Sequence, residues 1–192
     1  NAPSDGELEQ KSSEIEGAEG AEKKTEPVAE EVICDDFATL ELNPALADRI
    51  KQLNWSKPTP VQGMCLPLTT KGKDVAGFAQ TGTGKTGVFL ITIANRLLNE
   101  RVETESMKYP FAVILAPTRE LALQIQNDAD DLFVGLEIQT LAVFGGMDYE
   151  KQARALREGR DIIVATPGRL KDFLQKSQFD IKNCKTFVCD EA

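Results

Sequence analysis

From Phe37 onward the chain alternates between two textures. Short apolar runs, DVAGFAQ (74–80), FAVILA (111–116), IQTLAVF (138–144), DIIVAT (161–166) and TFVCD (186–190), are strand-length and lack a polar face. Between them lie TGVFLITIANRLLNE (86–100), a stretch from Arg119 to Phe133, DYEKQARALREG (148–159) and GRLKDFLQK (168–176), where apolar residues recur at helical spacing. In the first of these helices Val88, Ile91, Leu97 and Leu98 fall near one face. Strands apolar on both faces and separated by helices predict a parallel sheet covered on each side, an α/β fold. Ligands of such sheets bind at the carboxyl ends of the strands. There each run passes into a distinctive polar stretch.

Charge changes the picture only for the leader. The 192 residues carry a net charge of −9, but residues 1–36 hold twelve acids against three lysines, so residues 37–192 are neutral overall. The leader has no aromatic residue ahead of Phe37 and few large aliphatics, so it cannot bury enough surface to offset ordering. It is expected to be a disordered acidic tail, and a candidate docking segment for a protein partner. The folded part keeps no charge bias against nucleic acid. Four cysteines without C-x-x-C spacing and no histidines exclude the usual zinc sets and suggest reduced, mostly buried thiols. No apolar run approaches the length of a bilayer span, which points to a cytoplasmic protein without a membrane partner.

Chemistry enters at AQTGTGKT (79–86), between an expected strand and helix. Ala79, Gln80, Thr81, Gly82, Thr83 and Gly84 let the backbone curl so that successive N–H groups face one centre, a nest for phosphate oxygens. Lys85 reaches the β- and γ-phosphates, and the Thr86 hydroxyl is a ligand for Mg²⁺. The following helix directs its positive end at the same anion. A triphosphate with Mg²⁺ needs an acid at a neighbouring strand end. Asp190 fits that role, directly or through water, and Glu191 is placed to polarise an attacking water. ATP and Mg²⁺ are the expected ligands, with Lys85, Asp190 and Glu191 as the catalytic set.

Together these stretches resemble the DEAD-box family of RNA helicases over the span from Phe37 to Ala192. AQTGTGKT is similar to that family's motif I, PTRELALQ (117–124) to motif Ia, and DEA (190–192) to the first three letters of its D-E-A-D motif. Gly145–Gly146 and TPGRL (166–170) resemble the RNA-contacting motifs between. WSKPTPVQ (55–62) resembles the Q motif, with Phe37 as its isolated upstream aromatic. DVAGFAQTGTGKT and CLPLT are closest to bacterial members. Asn54 stands where that family usually has Gly, and Trp55 where it has Phe or Tyr. The resemblance implies that Gln62 selects adenine, since a side-chain amide can donate to N7 and accept from the N6 amine. Phe37, Trp55 and Pro60 would then shape the base site.

On the same basis Pro117, Thr118, Arg119, Gly145, Gly146, Thr166, Pro167, Gly168 and Arg169 are expected to hold single-stranded RNA by its backbone, without reading sequence. Arg154, Arg157 and Arg160, at helical spacing, are expected to form a solvated face. The resemblance implies a P-loop, RecA-like domain over 37–192, incomplete at its C-terminus. A central Ser-Ala-Thr strand and a second RecA-like domain carrying arginine fingers would lie beyond it. The fragment alone is then not expected to unwind RNA. A DNA-acting helicase-like ATPase and a non-catalytic, ATP-dependent RNA clamp are the alternatives.

Overall fold

A computed structural model describes residues 33–100 and 109–191. Up to residue 32, the acidic leader lies outside the described residues. Packing begins at Cys34, three residues earlier than expected. Its N–H donates to the Gly63 carbonyl at 2.9 Å and its side chain is buried. Asp36 caps a short 3-10 helix, Phe37–Thr39, by accepting from the Ala38 N–H. Gly63 is dictated by this contact, because a Cβ there would stand 2.6 Å from the Cys34 carbonyl oxygen.

Two helices precede the phosphate loop. Helix α1 (Pro44–Gln52) is capped by Asn43, and α2 (Pro60–Thr69) by Thr59, each with proline in the first turn. Proline fits there because its missing N–H has no intrahelical acceptor to lose. Thr59 and Gln62 form a capping box, each side chain serving the other's backbone N–H. The expected alternation then follows: α3 (Lys85–Glu100), β1 (Ala112–Leu115), α4 (Arg119–Leu132), β2 (Thr140–Val143), α5 (Tyr149–Arg157), β3 (Ile162–Ala165), α6 (Pro167–Gln175) and β4 (Thr186–Cys189).

The four strands are parallel in the order β2-β3-β1-β4. Their register aligns Val143, Ala165, Leu115 and Cys189 across the sheet. All four carboxyl ends therefore open on one edge. Ala112, Ile114, Ile162 and Val164 point into a core with Leu46, Leu66, Leu90, Ile91 and Ile125 from α1–α4. The alternate residues Val113, Ile163 and Ala165 join Leu156, Leu170 and Phe173 of α5 and α6. Period-two alternation in the strands thus feeds two helical layers.

One expected strand is missing. DVAGFAQ forms no ladder, Val75 is 40% exposed and Phe78 is 98% exposed. A strand exists only with a partner for its N–H and C=O groups, and no described strand pairs with this run. Strand β4 is one edge of the sheet, with no described strand on its outer side. Its Val188 packs on the first core, while Phe187 (54% exposed) faces out. Cys189 shares that outer face, so the thiols are not mostly buried as expected: Cys34 is buried, Cys65 and Cys184 are half-buried, and Cys189 is exposed.

Candidate nucleotide site and nucleic-acid edge

The phosphate loop closes on itself. Thr83 donates its N–H and hydroxyl to the Gln80 carbonyl, and Lys85 Nζ donates to the Ala79 carbonyl at 2.6 Å. Gly82 (φ +80°) and Gly84 (φ +98°) take the left-handed conformation that turns successive N–H groups to one side. Gly84 is doubly constrained: a Cβ would stand 2.9 Å from both Gln62 Nε2 and Thr59 Oγ1. Helix α3 starts at Lys85, so its positive end faces the loop.

Gln62 is buried and its amide serves the protein's own backbone. Oε1 accepts from the Thr59 N–H at 3.0 Å, and Nε2 donates to the Gly84 carbonyl at 3.2 Å. One amide thus ties the start of α2 to the phosphate loop. Gly87 accommodates the same side chain, since a Cβ there would meet Nε2 at 2.6 Å. These two bonds use the amide oxygen and one of its two N–H groups.

A cleft of about 450 Å³ joins these parts. Trp55, Gln62, Thr81, Gly82, Gly84, Lys85 and Thr86 line it from one side, and Asp190 and Glu191 from the end of β4. The expected phosphate, metal and water-activating groups therefore share one space. Phe37 does not reach it, being buried in the first core. Pro60, Ala79, Gln80 and Thr83 do not line it either. Burial raises the Asp190 carboxyl above the ordinary range, with the Lys85 ammonium pulling it down and Glu191 pushing it up. Glu191 itself takes φ +53° as the backbone leaves the strand.

Sequence reasoning missed Gln124, Asp128 and Asp131 of α4, which line the cleft's far wall with Leu121. Their spacing places them on one helical face. That stripe was the available signal. Asp128 is raised by burial and by its neighbour Asp131.

The remaining candidates lie along the same sheet edge. Thr118 caps α4, accepting from the Leu121 N–H, and Pro117 and Arg119 flank it in the open. Arg119 lies over the Phe144 ring at 5.2 Å and beside Gly146. Gly145 and Gly146 follow β2, both exposed. Thr166 sits at the N-cap of α6 with no side-chain cap bond, ahead of the exposed Pro167 and Gly168. Arg169 turns inward instead. Its guanidinium lies 5.4 Å from the Tyr149 ring and 5.6 Å from the Phe173 ring, and Nη2 donates to the Met147 carbonyl at 3.5 Å. Arg154 and Arg157 are exposed as expected, whereas Arg160 lies beyond α5 and pairs with Glu158.

Gly145 and Gly168 have no internal reason to be glycine. Neither has positive φ, and a Cβ on either meets nothing within 4 Å. The space a side chain would fill is on the outside, along this edge.

The sequence model of DEAD/DEAH box helicases matches residues 59–192. The chain belongs to the DEAD/DEAH box helicase family. Among curated relatives it is 44% identical over 158 residues to the ATP-dependent RNA helicase RhlB of Xanthomonas oryzae pv. oryzae, covering 81% of this chain and 28% of that one. It is 44% identical over 164 residues to the ATP-dependent rRNA helicase RRP3 of Candida glabrata, covering 85% and 32%. The crystal structure of the RNA-helicase Prp28 from Chaetomium thermophilum bound to ADP matches with a TM-score of 0.73 and 32% identity, over 90% of this chain and 46% of that one. The chain thus spans under half the length of these DEAD/DEAH box relatives. No helix among the described residues is long and apolar enough to cross a membrane.

Proposed function

We propose that this chain is the ATP- and RNA-binding half of an ATP-dependent RNA helicase, working in the cytoplasm. The observation that carries the reading is the single cleft shared by Lys85, Thr86, Asp190 and Glu191. Gly82, Gly84 and Lys85 hold the phosphates of ATP. Mg²⁺, when bound, offsets phosphate charge; Thr86 and Asp190 suit it, since that ion takes one or two protein oxygens beside substrate phosphates and water. Glu191 orients and deprotonates the attacking water. Trp55 offers a flat face for the base, and Gln62 has one N–H left for it.

RNA runs along the neighbouring edge, its backbone approaching Gly145 and Gly168 and the hydroxyls of Thr118 and Thr166. These groups contact phosphate and sugar, so sequence is not read. Further parts of the whole protein complete the machine. A strand against β4 would pair with its open edge, elements packed on that strand would cover Phe187, and a second RecA-like domain would supply arginine fingers. Such a finger is worth about 10³–10⁵ in rate elsewhere, so residues 1–192 alone do not unwind a duplex.

The test is ATP hydrolysis by the whole protein with RNA, with DNA, and with Glu191→Gln. Stimulation by RNA alone, reduced at least about a hundredfold in Glu191→Gln, is the expected result. Stimulation by DNA identifies a DNA-acting ATPase, and binding without turnover identifies a clamp.

A further inference from the structure

Gln152 is one of the few buried polar side chains among the described residues, at 5% exposure, and it does not line the nucleotide cleft. It stands on α5, beneath the loop that joins β2 to that helix. Its Oε1 accepts from the Phe144 N–H at 2.9 Å, and its Nε2 donates to the Phe144 carbonyl and the Asp148 carbonyl, each at 3.3 Å. Both amide hydrogens and the amide oxygen are thus engaged. Phe144 and Asp148 are the two ends of the loop carrying the exposed Gly145, Gly146 and Met147. One side chain therefore fixes the chord of that loop from inside.

We propose that Gln152 is a positioning residue for nucleic-acid binding, setting the conformation of Gly145–Gly146 without touching the ligand. The inference rests on the RNA-edge reading above. The loop's own sequence cannot hold a shape: two adjacent glycines are the most permissive backbone available, and Gly146 sits at φ +83°. Its anchor is the buried Phe144, whose N–H and C=O have left water and need partners. Gln152 supplies both. Without it, those groups regain partners only if the loop lifts toward solvent. The Phe144 ring then shifts from beneath Arg119, so the motif on α4 is disturbed with the loop. The fold has less at stake, because Ala153 and Leu156 make the apolar contacts of α5.

The experiment titrates poly(U) RNA into the whole protein while ATP hydrolysis is followed, comparing wild type with Gln152→Met, which keeps length and removes every hydrogen bond. The poly(U) concentration for half-maximal stimulation is expected to rise about tenfold, the rate at saturating poly(U) falling less than about twofold. Gln152→Asn keeps the amide one methylene short of its partners, so it falls between wild type and Gln152→Met; it carries the test if Gln152→Met does not fold. A lower saturated rate with an unshifted titration means a general structural role and overturns the proposal, as does a titration identical to wild type. If wild type itself shows no response to RNA, the helicase reading fails and this inference with it; a responsive wild type with an unshifted variant removes the inference alone.

Discussion

Asp190 illustrates how a catalytic group is carried at a thermodynamic cost. Its carboxyl is raised by burial, and the favourable pull of Lys85 does not cancel that. The folded protein therefore binds the Asp190 proton more tightly than the unfolded chain does. Between the ordinary aspartate range near about 3.9 and the raised native value, stability falls as pH rises. Above that window the buried charge is a standing burden. Asp190→Asn is thus expected to raise the melting temperature of the nucleotide-free protein at pH 7. The gain should shrink as pH drops through the window and vanish once both proteins are neutral at this position. Melting curves from pH 4 to 8 check this, and a less stable variant, or a gap that ignores pH, would refute it. A second residue shows a rule met by an unusual letter. Asn54, a non-glycine residue, takes φ +56° after α1. Asparagine is the side chain that best tolerates that region, so the turn into Trp55 is kept.

Among the elements, what the sequence made legible was local. The phosphate loop is a contiguous motif, and β1–β4 with α3–α6 declare themselves by apolar runs and helical spacing. Helices α1 and α2 are written more quietly, in Asn43-Pro44 and in the Thr59-Pro60-x-Gln62 box. DVAGFAQ misleads because strand character is a property of a pair, and its composition carries no information about whether a partner is present. Asp128 and Asp131 showed only as a helical stripe, and Gln152 not at all, since its role depends on how the loop from Phe144 to Asp148 folds back over α5. Gln62 sits between these cases: its place was readable, but its bond to Gly84 was not. The loop glycines permit a test at this scale. Gly145→Ala and Gly168→Ala add a methyl to open space without forcing the backbone. Both variants should melt within about 2 °C of wild type and bind a fluorescent single-stranded RNA about tenfold more weakly. Loss of stability without loss of binding would place the reason for these glycines inside the fold.

For the molecule as a whole, the decisive feature is the outer edge of β4. A flat parallel edge presents alternating unpaired N–H and C=O groups, and proteins ordinarily blunt such edges with charge, proline, a bulge or a cover. This one carries Phe187 at 54% exposure and Cys189 on its outer face, with Phe78 wholly exposed in the unpaired segment 73–80. Large exposed apolar groups beside an open edge are a recipe for pairing with whatever strand arrives first. Residues 1–192 expressed alone are therefore expected to self-associate, with size-exclusion chromatography and light scattering reporting a mass that rises with concentration. Phe187→Lys places a charge on the outer face of the edge strand, where no described core contact is lost, and should shift the population toward monomer. In the whole protein the same substitution has the opposite consequence. If a further strand and its covering helices pack on this side, a buried lysine there lowers stability by several kcal/mol. Opposite effects of one substitution in the two lengths of chain would identify β4 as an internal strand of the complete sheet. A fragment that stays monomeric at high concentration would show that the edge is protected by the chain already present.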